Sequence, residues 1–377
     1  MNKHTLIAAA ALAAAAGAAQ AQAQAPAGVQ LYGLIDVAVE RLNHVAPTGG
    51  AANGGTLTRM PNITATLPSR WGLRGSEDLG GGLRAIFTLE SGFGPDTGGL
   101  NQSGRLFGRQ AFVGLAGPGW GQVTLGRQYS YFYLSMLDAG IFGPNIYGVG
   151  SLDPYIPQAR FDNAIAWQGR WGAFSAGLNY SLGRDIGAAP GGTACGGESA
   201  ADKQACRAAS AMLKYDTEGW GGALAWDRQR GGAGSSATAG LTSSDLHDQR
   251  LFATAYAKLG AWKVGAGWIR RDNESVTAIA RRSDIGYVEA AYAVTPALSL
   301  EAQLAKLDYR GSDNQATLLS LRTTYALSKR TAAYVTAGHI RNDGARMNVS
   351  ASGGSPGGLP AFDGSQTGLA VGVRHAF

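Results

Sequence analysis

The sequence predicts an all-β chain, a 16-stranded antiparallel transmembrane β-barrel with short turns at one end and long loops at the other. Three observations carry this. Apolar and polar residues alternate with period two in one segment after another. The connections between segments alternate in length, long then short. An export leader opens the chain, and an alternating strand ending in Phe377 closes it.

The leader begins with a short basic start at Lys3. An alanine-rich apolar stretch over Leu6–Ala19 follows, and then overlapping Ala-x-Ala sites. Residues 1–25 read as a signal peptide cut after Ala21, Ala23 or Ala25, and residues 26–377 as one barrel domain. Past the leader no run of 18 or more apolar residues occurs, so no membrane-spanning helix is expected. Glycine supplies 57 of 377 residues, and charged residues only 15%, against about 25% in a soluble domain. The formal charge is +6, but arginines recur singly on alternate strand positions, not in the patch a nucleic-acid binder needs.

Val29, Leu31, Ile35, Val37 and Val39 of the first strand alternate with Gln30, Tyr32, Asp36 and Glu40. Ser69–Gly92 then reads as a β-hairpin. Its face with Trp71, Leu73, Phe87 and Leu89 is apolar, and the other face carries Arg70, Arg74 and Arg84. A turn is expected at Glu77–Gly82, and with both apolar sets outward the register places Arg74 beside Arg84 or Ile86. Like charges side by side suit only a water-filled interior.

Further short connections are expected at Gly117–Gly121, Gln168–Trp171, Thr217–Gly222, Leu259–Ala261, Thr295–Ala297 and Leu327–Arg330. Eight long ones alternate with these seven, from Asn43–Thr66 to Arg341–Gly364, giving 16 strands with both termini at the short-turn end. On Ala316–Ala326, Leu319, Leu321 and Tyr325 oppose Ser320, Arg322 and Thr324. The last strand sets Leu369, Val371, Val373, His375 and Phe377 on one face, and pairing it with the first strand removes both sheet edges.

Cys195 and Cys206 share a Gly/Ala-rich loop. Export past an oxidising compartment favours a disulfide over a metal pair, since no histidine lies nearby. The histidines elsewhere lack ligand spacing, so no metal or cofactor is expected. GPGWG at Gly117–Gly121 has no following helix or lysine and reads as a turn, not a phosphate cradle.

LYGLIDV (31–37), RWGLRGSEDLGGGLRAIFTLESGF (70–93), RQAFVGL (109–115), VTLGRQY (123–129) and VGVRHAF (371–377) resemble the general diffusion porins of Gram-negative bacteria, in particular the betaproteobacterial type. The match is close over residues 29–130 and the last strand, and loose between them. The resemblance implies a homotrimer in the outer membrane, in contact with its lipid and passing small hydrophilic solutes and ions. It implies that the third external loop, about 129–159, folds into the barrel as a constriction, with wall arginines facing acids on that loop. Arg70, Arg74 and Arg109 fall on family positions, Arg160 matches less securely, and Arg84 shares the inward face. The acids on the loop are Asp138 and Asp153, although LDAGIFGPN stands where the family often has a Pro-Glu-Phe-Gly-Gly segment. The bland reading of each arginine is a solvated wall residue, and of Asp153, which precedes Pro154, a turn former. An arginine-rich lumen implies mild anion preference. A substrate-specific channel is the nearer alternative. A barrel enzyme is more remote, because no nucleophile–base arrangement stands out.

Overall fold

The computed structural model describes residues 28–46, 54–64, 66–183, 195, 197–232, 240–353 and 358–377, without the side chains of Asp138 and Ala139. The leader expected over residues 1–25 lies outside them.

The strands are β1 (Gly28–Leu42), β2 (Leu57–Arg59), β3 (Arg70–Gly80), β4 (Leu83–Gly92), β5 (Gln110–Gly117), β6 (Gly121–Tyr129), β7 (Arg160–Trp171), β8 (Phe174–Ser181) and β9 (Ala208–Asp216). They continue with β10 (Trp220–Arg230), β11 (His247–Leu259), β12 (Trp262–Asn273), β13 (Arg282–Ala293), β14 (Leu298–Tyr309), β15 (Gln315–Ala326), β16 (Thr331–Asp343) and β17 (Ser365–Ala376). The three-residue β2 belongs to the first long loop and caps the upper part of β1, where Leu42 pairs with Leu57. The other 16 strands form the barrel wall, each antiparallel to its neighbours, and β1 closes it by pairing with both β17 and β3.

Alternation sets the faces. In β15, Leu319, Leu321 and Tyr325 are exposed on the outer wall, whereas Ser320, Arg322 and Thr324 are buried inside. Val29, Leu31, Ile35 and Val39 of β1 and Leu369, Val371, Val373 and Phe377 at the closing end are likewise outward. Such apolar exterior and polar interior are the reverse of a soluble domain, and they match a wall facing hydrocarbon. At the seam, the Gly33 and Phe377 amides exchange hydrogen bonds of 3.1 and 3.0 Å. The Phe377 ring lies over Gly33, where a Cβ would run into it.

Several turns are tighter than the sequence reading places them: β10 already starts at Trp220, inside the expected Thr217–Gly222, and two others close on glycines with positive φ. β3 continues to Gly80, so the first hairpin turns at Gly81–Gly82, both with positive φ (62° and 82°). β7 continues through Gln168–Trp171 and turns at Gly172–Ala173, with Gly172 at φ 60°. In each case glycine supplies the left-handed conformation a short hairpin loop demands, and polar flanking residues stay in the strand. The longer β3 also corrects the register. Arg74 lies opposite Thr88, not Arg84 or Ile86, and Arg84 lies opposite Asp78, a favourable pair. The inward and outward faces are as alternation assigns them.

Candidate functional site

The interior is built around the segment between β6 and β7. Outward Val123 and Leu125 alternate with buried Thr124 on β6, which by period two would turn Tyr129 outward as well. A bulge between Gly126 and Gln128 shifts the pairing with β7 by one residue, and Tyr129 is buried instead. Gly126 sits at φ 129°, where an added Cβ would run into the Ala111 carbonyl oxygen.

Tyr129 thereby becomes the centre of an arginine cluster. Its hydroxyl accepts from Arg109 Nη2 at 2.5 Å and Arg160 Nη2 at 3.3 Å and donates to Glu90 Oε1 at 3.3 Å. Arg109 Nε donates to Glu90 Oε1 at 2.7 Å, and Arg70 Nε lies 3.6 Å from Glu90 Oε2. The Arg160 guanidinium stacks 4.6 Å above the Tyr129 ring, which itself stacks on Tyr133. Arg109 and Arg160 are 2% and 5% exposed, so they are packed into the wall. Arg70 and Arg109 thus share one carboxylate while Arg160 reaches the Tyr129 hydroxyl, and Arg109 Nη1 and Arg160 Nε find no hydrogen-bond partner among the described residues. Arg74 donates to Gln30 at 3.1 Å and lies over the Tyr32 ring. Arg84 sits nearer the short-turn end, half-buried beside Asp78.

After Ser130, whose hydroxyl accepts the Tyr133 amide, the chain forms helix α1 (Tyr131–Ala139) and then, before Ala159, short helical turns at Val149–Leu152 and Ile156–Gln158. This loop lies inside the barrel, because it bonds to inward side chains around much of the wall. The Tyr147 hydroxyl donates to Glu40 on β1 at 2.8 Å, and the Tyr155 hydroxyl to Asp227 on β10 at 2.9 Å. Glu289 on β13 accepts the Ile141 and Phe142 amides at 2.8 and 3.2 Å, and Arg322 on β15 donates to the Ile141 carbonyl. Phe132, Met136, Leu152 and Ile156 pack with Phe252, Ile285, Leu307 and Leu318 of the wall.

Asp153 is the ionic anchor of this segment. Its carboxylate takes Arg250 Nε at 2.6 Å and Nη2 at 3.2 Å, and Asp248 bridges Arg250 to Arg271. Burial alone would raise the Asp153 carboxyl, but Arg250 and Arg271 outweigh it and hold the group down at about 2. Asp153 therefore does not face Arg70, Arg109 or Arg160; it is spent on β11, and the acid in the arginine cluster is Glu90 on β4. Asp138 lies in the last turn of α1, and its side chain is outside the described residues.

A family profile described as Gram-negative porin matches residues 8–345. The chain belongs to the Gram-negative porin family. It is similar to outer membrane porin protein 32 of Delftia acidovorans, at 32% identity over 365 residues, covering 93% of this chain and 94% of that one. A Bordetella pertussis outer membrane porin protein is 44% identical over 120 residues, 30% of each chain. Among solved structures, the anion-selective porin from Comamonas acidovorans superposes with a TM-score of 0.69 at 25% identity, covering 93% of this chain and 99% of that one. This porin is accordingly an outer-membrane channel.

In the porin the long loops are braced. Cys195 and Cys206 form a disulfide, buried beside Ala205. At the rim, His247 Nδ1 lies 2.6 Å from Glu274 Oε2 with Asp272 close by, a grouping that strand register creates and sequence spacing does not show. Arg281 occupies both acids, at 2.9 and 2.6 Å, so the trio reads as an ion-pair network. Glu90, Tyr129, Arg250 and Asp248 were not singled out from the sequence. Alternation already put Glu90 on the arginine face, whereas Arg250 needed the loop's path to be known.

Proposed function

We propose that this porin is mildly anion-preferring and works as a homotrimer, passing small hydrophilic solutes by diffusion past Arg70, Arg74, Arg84, Arg109 and Arg160. The observation that carries the anion preference is the charge count around Tyr129, where Arg70 and Arg109 pair with a single carboxylate, Glu90, and Arg160 joins through the Tyr129 hydroxyl. Asp153, the neighbouring loop acid, is neutralised by Arg250 and does not offset them. Surplus positive charge along a narrow aqueous path lowers the barrier for anions. The anion-selective porin from Comamonas acidovorans supports this reading, and trimeric porin structures among the similar folds support the assembly. The leader 1–25 is removed on export. Mass spectrometry of the mature chain then finds an N-terminus after Ala21, Ala23 or Ala25.

The test is the reversal potential across a bilayer in a KCl gradient. Anion preference is expected, reduced when Arg70 and Arg109 are both replaced by Ser. Cation preference in the unaltered porin overturns the proposal, and an unchanged potential in the double variant removes these two arginines from it.

A further inference from the structure

Beyond the constriction, a half-open cavity of about 170 Å³ lies between the ends of β12, β13 and β14 and the external loop 274–281. Its lining has two characters. Ala278, Ile279 and Ala280 form an apolar side. Facing them are Arg271, Ser283 and Tyr309, and Ser283 is only 5% exposed. Arg271 directs Nε and Nη2 to Asp248 at 2.8 and 2.9 Å. Within the described residues its Nη1, the Ser283 hydroxyl and the Tyr309 hydroxyl take no side-chain hydrogen bond.

The loop over this cavity is fixed from three sides. Arg346 donates to the Ala278 and Thr277 carbonyls at 3.3 and 3.4 Å, and the Val276 amide donates to the Gly240 carbonyl at 3.1 Å. Ile279 and Tyr309 both pack on the main core. A smaller cavity shares Arg271, Ser283 and Tyr309 with it and is lined also by Leu152 and Asp153, so the ionic anchor of the constriction loop adjoins it.

We infer that this cavity binds one small neutral polyol, up to the size of a single sugar ring, on its way into the channel; the inference rests on the channel reading above. Three properties select that class. The volume is about six times the ~30 Å³ share of one liquid water and below the roughly 300 Å³ at which drug-sized sites begin. An apolar side facing hydroxyl and guanidinium donors suits a ligand with C–H faces and hydroxyl edges. The charges of the adjoining ionic anchor cancel, Arg250 and Arg271 against Asp153 and Asp248, so nothing there rewards a net charge.

Single-channel recording in KCl with glucose added to each side in turn tests this, with acetate as the charged probe. Glucose is expected to reduce the current saturably from one side only. Tyr309→Phe and Ser283→Ala are each expected to weaken that effect about threefold to tenfold, the scale of one hydrogen bond. Ala280→Trp, which fills the cavity, is expected to remove the saturable part in a barrel that still shows heat-modifiable mobility. A reduction that is linear in glucose and identical in the variants is viscosity alone and overturns the inference. Saturable block by acetate in place of glucose overturns it too. Absence of any KCl conductance in the folded, unaltered protein instead overturns the channel reading itself.

Discussion

Arg160 is a buried cation held by two aromatic faces, a hydroxyl and a backbone carbonyl, with no carboxylate of its own among the described residues. Such an arrangement depends on Tyr129, whose single oxygen serves Arg109, Arg160 and Glu90 together. Tyr129→Phe keeps the ring stack but leaves two buried guanidiniums short of an acceptor. It is expected to destabilise the barrel by about 1–3 kcal/mol, read as a lower midpoint of heat-induced mobility shift. Gly126→Val strikes the same centre from the backbone, because a β-branched residue at φ 129° cannot sit against the Ala111 carbonyl. Loss of the bulge would send Tyr129 back to the outer wall, so refolding yield should fall further than for Tyr129→Phe. The bulge also explains what alternation could not read: period two assigns the outward face of Val123 and Leu125 to Tyr129, and only the inserted residue reverses it.

The inner loop of residues 130–159 lies inside the barrel, and its attachment is a small set of strong contacts. Asp153→Asn removes one of the two charge partners of fully buried Arg250 and leaves Asp248, so the expected loss lies below the about 3–5 kcal/mol of breaking a lone buried pair. The barrel wall keeps its own ladder, so the expected readout is local: increased current noise and brief closures in single-channel records, with the mobility shift less affected. Acid should act at the same place. The Asp153 carboxyl is lowered from 3.8 to about 2 in the fold, so its contribution is complete above about pH 4 and is lost as pH falls through 2. Closures should therefore appear in that acid window in the unaltered porin, and the Asn variant should show them at neutral pH. Closures arising only above pH 5 would assign the loop's acid response to another group. The sequence located this loop to within a residue at each end, because Tyr129 and Arg160 bound a long stretch without alternation. It could not show which wall the loop crosses to, since Asp153 and Arg250 are 97 residues apart and meet only through the closed barrel.

For the molecule as a whole, closure is the step that leaves no unpaired edge, and it joins the two ends of the chain. Nine residue pairs from Leu34–Ala376 to Leu42–Gly368 form the seam, and the Phe377 ring completes it by covering Gly33. Phe377 is outward and 43% exposed, so its removal costs less than a core aromatic, about 1–2 kcal/mol by apolar area. Phe377→Ala should fold in lower yield but give a barrel of normal conductance. Gly33→Ala should be the more harmful single change, because its methyl meets the Phe377 ring while the backbone bonds at 3.1 and 3.0 Å hold the two residues together. Combining them tests the contact itself. If the ring on glycine is the closing interaction, the double variant loses the clash with the ring and should be more stable than Gly33→Ala alone, a coupling of opposite sign to simple addition. Additive losses in the thermal midpoints would mean that Phe377 acts through lipid contact alone and that the seam is held by the strand ladder without it.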